Sequence, residues 1–264
     1  MNPTDTRPPS TQQRVPVAEL FYSFQGEGPS LGRRALFVRL SGCNLTCGYP
    51  SLPHDAGTMP SGAMICDTEY TWNSARHDLS TAKQLTHDDV WDELEALDPA
   101  THQQELPRVD LIVVSGGEPM MRQDFIADLA RRAHAQGRQV EIETNATITP
   151  RPALIASGVY FNAGLKLANS AVPRNRRIKP DAITAIQATS RARWKFVVTA
   201  PEDLDEVAAL QNEFGLTDVW LSPEGTEPED VIRQMRAIAD HALLRGWNLT
   251  TREHILIWGK KRGC

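Results

Sequence analysis

The wholly apolar run Leu111-Ile112-Val113-Val114 passes directly into Ser115-Gly116-Gly117-Glu118-Pro119. A strand without polar alternation is buried on both faces, the pattern of a parallel sheet covered by helices. The rest of the chain repeats the theme. Residues 35–40, 140–143, 159–165, 194–199 and 218–221 read as further strands, and 254–258 as a last one. Helical patterns separate them. Thr86 caps one with Val90, Leu94 and Leu97 on one face, and a second turns Phe125, Ile126, Leu129 and Ala133 inward before Gly137. Others open at Pro150 or Pro152 and after Pro180, span 201–214 up to Gly215, and span 229–245 up to Gly246. About six strands joined by helical crossovers predict an α/β fold, a partial, open parallel (β/α)6 barrel too short for eight units. Ligands of such a fold sit at the C-terminal ends of the strands.

The 264 residues are 41% hydrophobic and 23% charged, enough for one core. The expected organisation is a disordered tail over 1–14, rich in proline, and one domain over 15–264 with an insertion at 48–65. The net charge of −5 argues against a general nucleic-acid binder. No apolar run approaches the roughly 18 residues that span a bilayer, and the start lacks an apolar signal core, so a cytoplasmic protein without a membrane role is expected.

Three of the four cysteines, Cys43, Cys47 and Cys66, fall close together. In a reducing compartment such a trio reads as a metal site rather than a disulfide framework. Three thiolates suit a [4Fe–4S] cluster whose fourth iron is left open for a small molecule. Zinc is the competitor, and it would draw a fourth ligand from His54 or His77. The downstream glycine run favours the cluster, with S-adenosylmethionine on the open iron.

Gly42-Cys43-Asn44-Leu45 with Cys66-Asp67-Thr68-Glu69-Tyr70-Thr71-Trp72, preceded by Phe24-Gln25-Gly26-Glu27-Gly28 and followed by Gly116-Gly117-Glu118-Pro119, carries a resemblance. The sequence resembles the radical S-adenosylmethionine family of 7-carboxy-7-deazaguanine synthases from Val17 to Cys264. It departs in the cysteine motif: the common spacing is C-x3-C-x2-C with an aromatic before the third cysteine, whereas here the second gap is 18 residues and Ile65 holds the aromatic's place. Gly164-Leu165-Lys166 also stands where the family often has Ser-Pro-Lys.

The resemblance implies a carbon–nitrogen lyase that contracts 6-carboxy-5,6,7,8-tetrahydropterin to 7-carboxy-7-deazaguanine with loss of ammonia. A 5′-deoxyadenosyl radical from S-adenosylmethionine would abstract hydrogen from C6 of the pterin. The product would feed queuosine-type transfer-RNA modification or a pyrrolopyrimidine natural product. Carried over by position, Cys43, Cys47 and Cys66 hold the cluster and Thr68 holds Mg2+. Ile65, Gly116-Gly117-Glu118, Gly164-Leu165-Lys166 and Ser222-Pro223-Glu224-Gly225 bind S-adenosylmethionine. Phe24-Gln25-Gly26, Arg39, Ser115 and the terminal carboxylate of Cys264 bind the pterin, with the Arg39 fork on the substrate carboxylate. A flavodoxin- or ferredoxin-type electron donor and a homodimer are implied as well. Two other readings stay open: a glycyl-radical-enzyme activase, which Gln25-Gly26-Glu27-Gly28 with Cys66-Asp67-Thr68 disfavours, and a zinc-stapled binding module.

Overall fold

The computed structural model describes residues 13–48 and 66–264. Nearly all of the expected insertion and tail, and Ile65 with them, lie outside the described residues. In chain order the elements are β1 (Arg14–Phe24), β2 (Arg34–Leu40), β3 (Lys83–Thr86), α1 (His87–Leu97), β4 (Leu111–Gly116), α2 (Gln123–Ala135), β5 (Gln139–Thr144), α3 (Pro152–Ala156), β6 (Tyr160–Ala163), α4 (Arg174–Arg177), α5 (Pro180–Gln187), β7 (Ala192–Val198), α6 (Asp203–Phe214), β8 (Val219–Pro223), α7 (Pro228–Arg245), β9 (Asn248–Leu249) and α8 (Glu253–Trp258). Local chemistry sets many of these ends. Thr86 Oγ1 accepts from Asp89 N while Asp89 Oδ2 accepts from Thr86 N, a reciprocal cap on α1. Proline occupies the first turn of α3, α5 and α7.

The described strands form one sheet in the order β3-β1-β2-β4-β5-β6-β7-β8-β9. Strand β1 runs antiparallel to β2 and β3, and from β2 onward each neighbour is parallel. The α/β class and the six long parallel strands therefore match the sequence reading. The sheet is not closed, since β3 and β9 are its two edges.

Four elements differ from expectation. Strand β1, beginning at Arg14, and β3 add an antiparallel edge, and β1 tolerates Pro16 because it joins in near the sheet's border. Residues 254–258 form helix α8 rather than the last strand. Its apolar run is not buried throughout: Ile255 is buried but Ile257 is 51% exposed, which a helical turn accommodates and a central strand does not. The edge strand is instead β9, paired with Trp220 and Leu221.

The two faces of the sheet are chemically different. One carries Leu36, Val38, Ile112, Val114, Val140, Ile142, Phe161, Trp194, Phe196 and Leu221, all buried against the helices in the main core. Each such side chain contributes about 1.5–3 kcal/mol by leaving water. The opposite face holds a small apolar cluster of Phe21, Ala35, Phe37, Leu111 and Val113, with Phe21 and Phe37 stacked at 4.7 Å. Beyond it the same face turns polar: Gln139, Glu141 and Glu143 on β5, Asn162 on β6, Arg193 and Lys195 on β7. The connection from β1 to β2 crosses this polar face. Ser30 Oγ donates to Glu141 at 2.5 Å, Gln25 Nε2 to Glu143 at 3.1 Å, and Gly28 N to Thr250 Oγ1 at 2.8 Å.

Candidate active site

The segment 41–48 leaves the C-terminal end of β2 and carries Cys43 and Cys47. Residues 66–73 lie beside it, held by Gly42 N and Ser41 Oγ, which donate to Thr71 O at 2.8 and 2.7 Å. Leu45, Cys47 and Val172 form a small apolar cluster on which Cys43 and Cys66 pack. All three cysteines are free thiols. Burial pushes the Cys43 thiol up to about 12, against the pull of the Leu45 N–H, with the charges of Glu118, Cys47 and Cys66 adding to the rise. Burial likewise raises Cys47 to about 11, opposed by Lys166. Burial opposes the charge on Lys166, but the fields of Cys47, Cys66 and Asp67 outweigh it and hold the ammonium above its ordinary value.

This donor set fits an iron–sulfur cluster. It offers three thiols on one small apolar cluster, with Cys47 buried and Cys43 and Cys66 partly exposed, a soft sulfur donor set of the kind that iron takes. Hydrogen-bond donors already point at two of them: Leu45 N at Cys43 Sγ, 3.4 Å, and Trp72 Nε1 at Cys66 Sγ, 3.5 Å. Among the described residues no three His, Cys, Asp or Glu side chains are gathered as a single-ion cage. His77 turns to Glu69, with Nε2 3.8 Å from Oε2, and His54 lies outside the described residues.

The glycine run holds this loop in place. A Cβ at Gly116 would lie 2.1 Å from Leu40 O, and one at Gly117 would lie 2.2 Å from Gly42 O and 2.9 Å from Cys43 Cβ. Gly116 also has φ +135°, which a side chain disfavours. Gly117 N and Glu118 N donate to Leu40 O and Gly42 O, at 3.2 and 2.8 Å. The Glu118 carboxylate faces inward and accepts from Thr144 Oγ1, Met120 N and Asn145 N. Burial holds that carboxyl above its usual range despite these donors.

The other expected rim residues gather at the same ends of the strands. Gly164 N donates to Thr144 O at 2.7 Å. The Leu165 side chain belongs to the core, so only its main chain is available to a ligand. Ser222 Oγ is 3.3 Å from Glu27 Oε2, Glu224 N donates to Val198 O, Pro223 ends β8, and Gly225 O accepts from Arg252 Nη1 at 2.8 Å.

Among the expected pterin residues, Arg39 and Ser115 are register neighbours on β2 and β4. Arg39 Nε donates to Glu19 Oε2 at 2.9 Å, and Tyr70 Oη donates to the same oxygen at 2.9 Å. Arg262 stacks over the Tyr70 ring at 3.7 Å, which brings the chain end to this group. Phe24 stacks on Trp258, and Gly26 abuts His254, whose Nδ1 would lie 2.3 Å from a Cβ there. Cys264 Sγ lies 3.3 Å from Lys261 O.

Sequence reasoning missed the charged network between these groups. Glu27 accepts from Lys195 Nζ at 2.9 Å and Arg252 Nε at 3.1 Å; Lys195 also donates to Glu143, and Arg252 Nη2 to Asp67 at 2.6 Å. Burial opposes the Glu27 charge, but Lys195, Arg252 and His254 overcome it and hold the carboxyl far below its ordinary range. His254 is pushed down by burial. The usable signal was the alternation Gln139-x-Glu141-x-Glu143 and Arg193-x-Lys195. Polar residues at period two in an otherwise buried strand mark a polar interior face.

No family model matches this chain. Individual relatives do. The 7-carboxy-7-deazaguanine synthase of Pyrobaculum aerophilum is 32% identical over 258 residues, covering 96% of this chain and 99% of that protein. This chain belongs to the 7-carboxy-7-deazaguanine synthase family. Proteins of the same name from Halobacterium salinarum and Hyperthermus butylicus are 30% and 29% identical over 92% and 91% of the chain, which spans 90% and 92% of theirs. The crystal structure of QueE from Escherichia coli shares the fold at a TM-score of 0.60 and 21% identity, with 91% of this chain and 95% of that one covered. The 7-carboxy-7-deazaguanine synthase family thus supplies the name that the motifs of Cys43, Cys66 and Gly116 pointed to. None of the described helices is long and apolar enough to cross a membrane.

Proposed function

We propose that this protein makes 7-carboxy-7-deazaguanine by radical ring contraction of 6-carboxy-5,6,7,8-tetrahydropterin with loss of ammonia, as a carbon–nitrogen lyase. The observation that carries the reading is the gathering of Cys43, Cys47 and Cys66 on the Leu45 and Val172 cluster, with Cys43 against Gly117 after β4, in a chain of this family. Cys43, Cys47 and Cys66 would hold a [4Fe–4S] cluster, which when bound supplies the electron that turns S-adenosylmethionine into a hydrogen-abstracting radical. In this proposal the sheet acts as the partial, open barrel around that site.

The chain's own residues orient and enclose. Main-chain groups at 116–118, 164–166 and 222–225 would line S-adenosylmethionine, with the Glu118 carboxylate fixing the loop after β5 rather than touching the ligand. Thr68 Oγ1 donates its hydrogen to Gly116 O, 3.2 Å away, and so turns lone pairs outward, as an oxygen ligand of Mg2+ requires. Arg39 donates Nε to Glu19 and lies over the Phe21 ring, 5.4 Å from its centroid, and among the described residues Nη1 and Nη2 of its fork donate to no partner. That fork suits the carboxylate of the pterin. Gln25 would address the pterin's mixed donor and acceptor edge, and the terminal carboxylate of Cys264 its N–H groups. The Glu27–Lys195–Arg252 network keeps the floor of the site charged and rigid. A flavodoxin- or ferredoxin-type donor, a homodimer and a cytoplasmic location complete the proposal.

The deciding experiment is anaerobic iron and sulfide reconstitution followed by turnover with the carboxytetrahydropterin, S-adenosylmethionine and a reductant. Formation of 7-carboxy-7-deazaguanine and 5′-deoxyadenosine supports the reading. A reconstituted, brown protein that cleaves S-adenosylmethionine but leaves the pterin untouched would assign the chain to other radical chemistry.

A further inference from the structure

From the donors around Cys66 we infer that Trp72 is a positioning residue that sets the reduction potential of the cluster, by giving its indole N–H to the Cys66 thiolate. The inference rests on the cluster reading above. Trp72 Nε1 lies 3.5 Å from Cys66 Sγ. Thr68 Oγ1 is equally near that sulfur, but its single hydrogen is shared between two acceptors, the sulfur and Gly116 O, which lies 3.2 Å away. Toward a thiolate, which has no hydrogen to give, the indole N–H is, among the described residues, the side-chain donor that has no second acceptor to choose. Cys43 differs, because its donor is the Leu45 main-chain N–H, which every substitution but proline retains.

The indole is also held where it stands. Thr71 O accepts from Gly42 N and Ser41 Oγ, Thr71 Oγ1 donates to Thr68 O at 2.8 Å, and Trp72 N donates to Glu69 O at 3.1 Å. The next residue, Asn73, is fully buried, and its Nδ2 donates to Glu69 Oε1 at 2.6 Å. The ring is thus fixed by the same short segment that carries Cys66. Hydrogen bonds to cluster sulfurs favour the more electron-rich, reduced state, so this donor raises the potential and eases one-electron reduction.

The test replaces Trp72 with β-(3-benzothienyl)alanine, in which sulfur takes the place of the indole N–H and the ring shape is kept, alongside Trp72→Phe. Iron content, cluster absorbance and potentiometric titration followed by electron paramagnetic resonance are read on each. Both variants should keep their iron, and at a fixed poise near the native midpoint their reduced-to-oxidised ratio should fall about tenfold, which is about 59 mV for one electron. Full iron content with an unchanged midpoint in the benzothienyl protein would overturn the inference. Loss of iron from that isosteric variant would overturn it too, by making the N–H a requirement for seating the cluster. If the native protein takes up no cluster, the functional reading fails instead, a separate result.

Discussion

Arg252 Nη2 donates to Asp67 Oδ2 at 2.6 Å across 185 positions of sequence. One guanidinium thereby ties the residue after Cys66 to Glu27, through Nε, and to Gly225 O, through Nη1. Its side chain is 7% exposed, so the links are shielded from water.

Arg252→Ala should cost about 3–5 kcal/mol, the range for breaking a buried ion pair by removing one partner. It should also lower the iron retained, because Asp67 and hence Cys66 lose their anchor. Thermal unfolding and iron per chain after reconstitution check both effects. Native iron content in a destabilised variant would confine the role of Arg252 to the floor of the site.

Gly117→Ala places a methyl group against Gly42 O and Cys43 Cβ, both main-chain or near main-chain atoms that cannot swing aside. Overpacking typically costs about 1–3 kcal/mol, and here relief requires moving the cysteine loop. The expected result is a folded protein, by far-ultraviolet circular dichroism, that takes up less than half the native iron. A full complement of iron would show that the loop yields without disturbing its thiols.

The main architecture was legible in the sequence because β2 and β4 are nearly continuous apolar runs, the other parallel strands are short apolar-rich segments, and the helices between them show a 3.6-residue period. Two of the misjudged elements show the physical reasons. Strand β1 contains Pro16 and mixes polar with apolar residues, as an edge-side antiparallel strand does. Helix α8 and an apolar strand look alike over five residues when only one side chain, Ile255, decides the buried face. The cysteine trio was readable because it is local in sequence. The Glu27–Lys195–Arg252 network was not, since its members are separated by 168 and 225 positions and only the topology brings them together.

That network fixes a pH dependence. The Glu27 carboxyl in the folded protein titrates well below its ordinary 4.5, because Lys195 and Arg252 outweigh the cost of burial. A depressed carboxyl contributes stability that is present above the unfolded value and lost as pH falls toward the folded one. Wild-type melting temperature should therefore decline below about pH 4.5. Glu27→Gln should be less stable near neutral pH and decline less steeply between pH 5 and pH 3. Parallel acid slopes for the two proteins would mean that other carboxylates govern the transition.

The chain end carries the last prediction. Arg262 stacks at 3.7 Å over the ring of Tyr70, whose hydroxyl shares the Glu19 oxygen that Arg39 also reaches. Two residues further on is the terminal carboxylate, an acceptor with the added strength of charge for a row of pterin N–H groups. Cys264→Ala keeps that carboxylate and removes only a thiol facing Lys261 O, so substrate affinity should be unchanged. A short C-terminal extension keeps every native side chain but displaces the carboxylate. Loss of one charge-assisted pair costs about 1.5–3 kcal/mol, roughly ten- to a hundredfold in the pterin Kd. S-adenosylmethionine binding should be unaffected. Arg262→Ala should behave as a weaker version of the extension, since it loosens the tail without removing its charge. Calorimetric titration of both ligands against the four proteins is the measurement, and equal pterin affinity in extended and native protein would free the chain end from any part in the site.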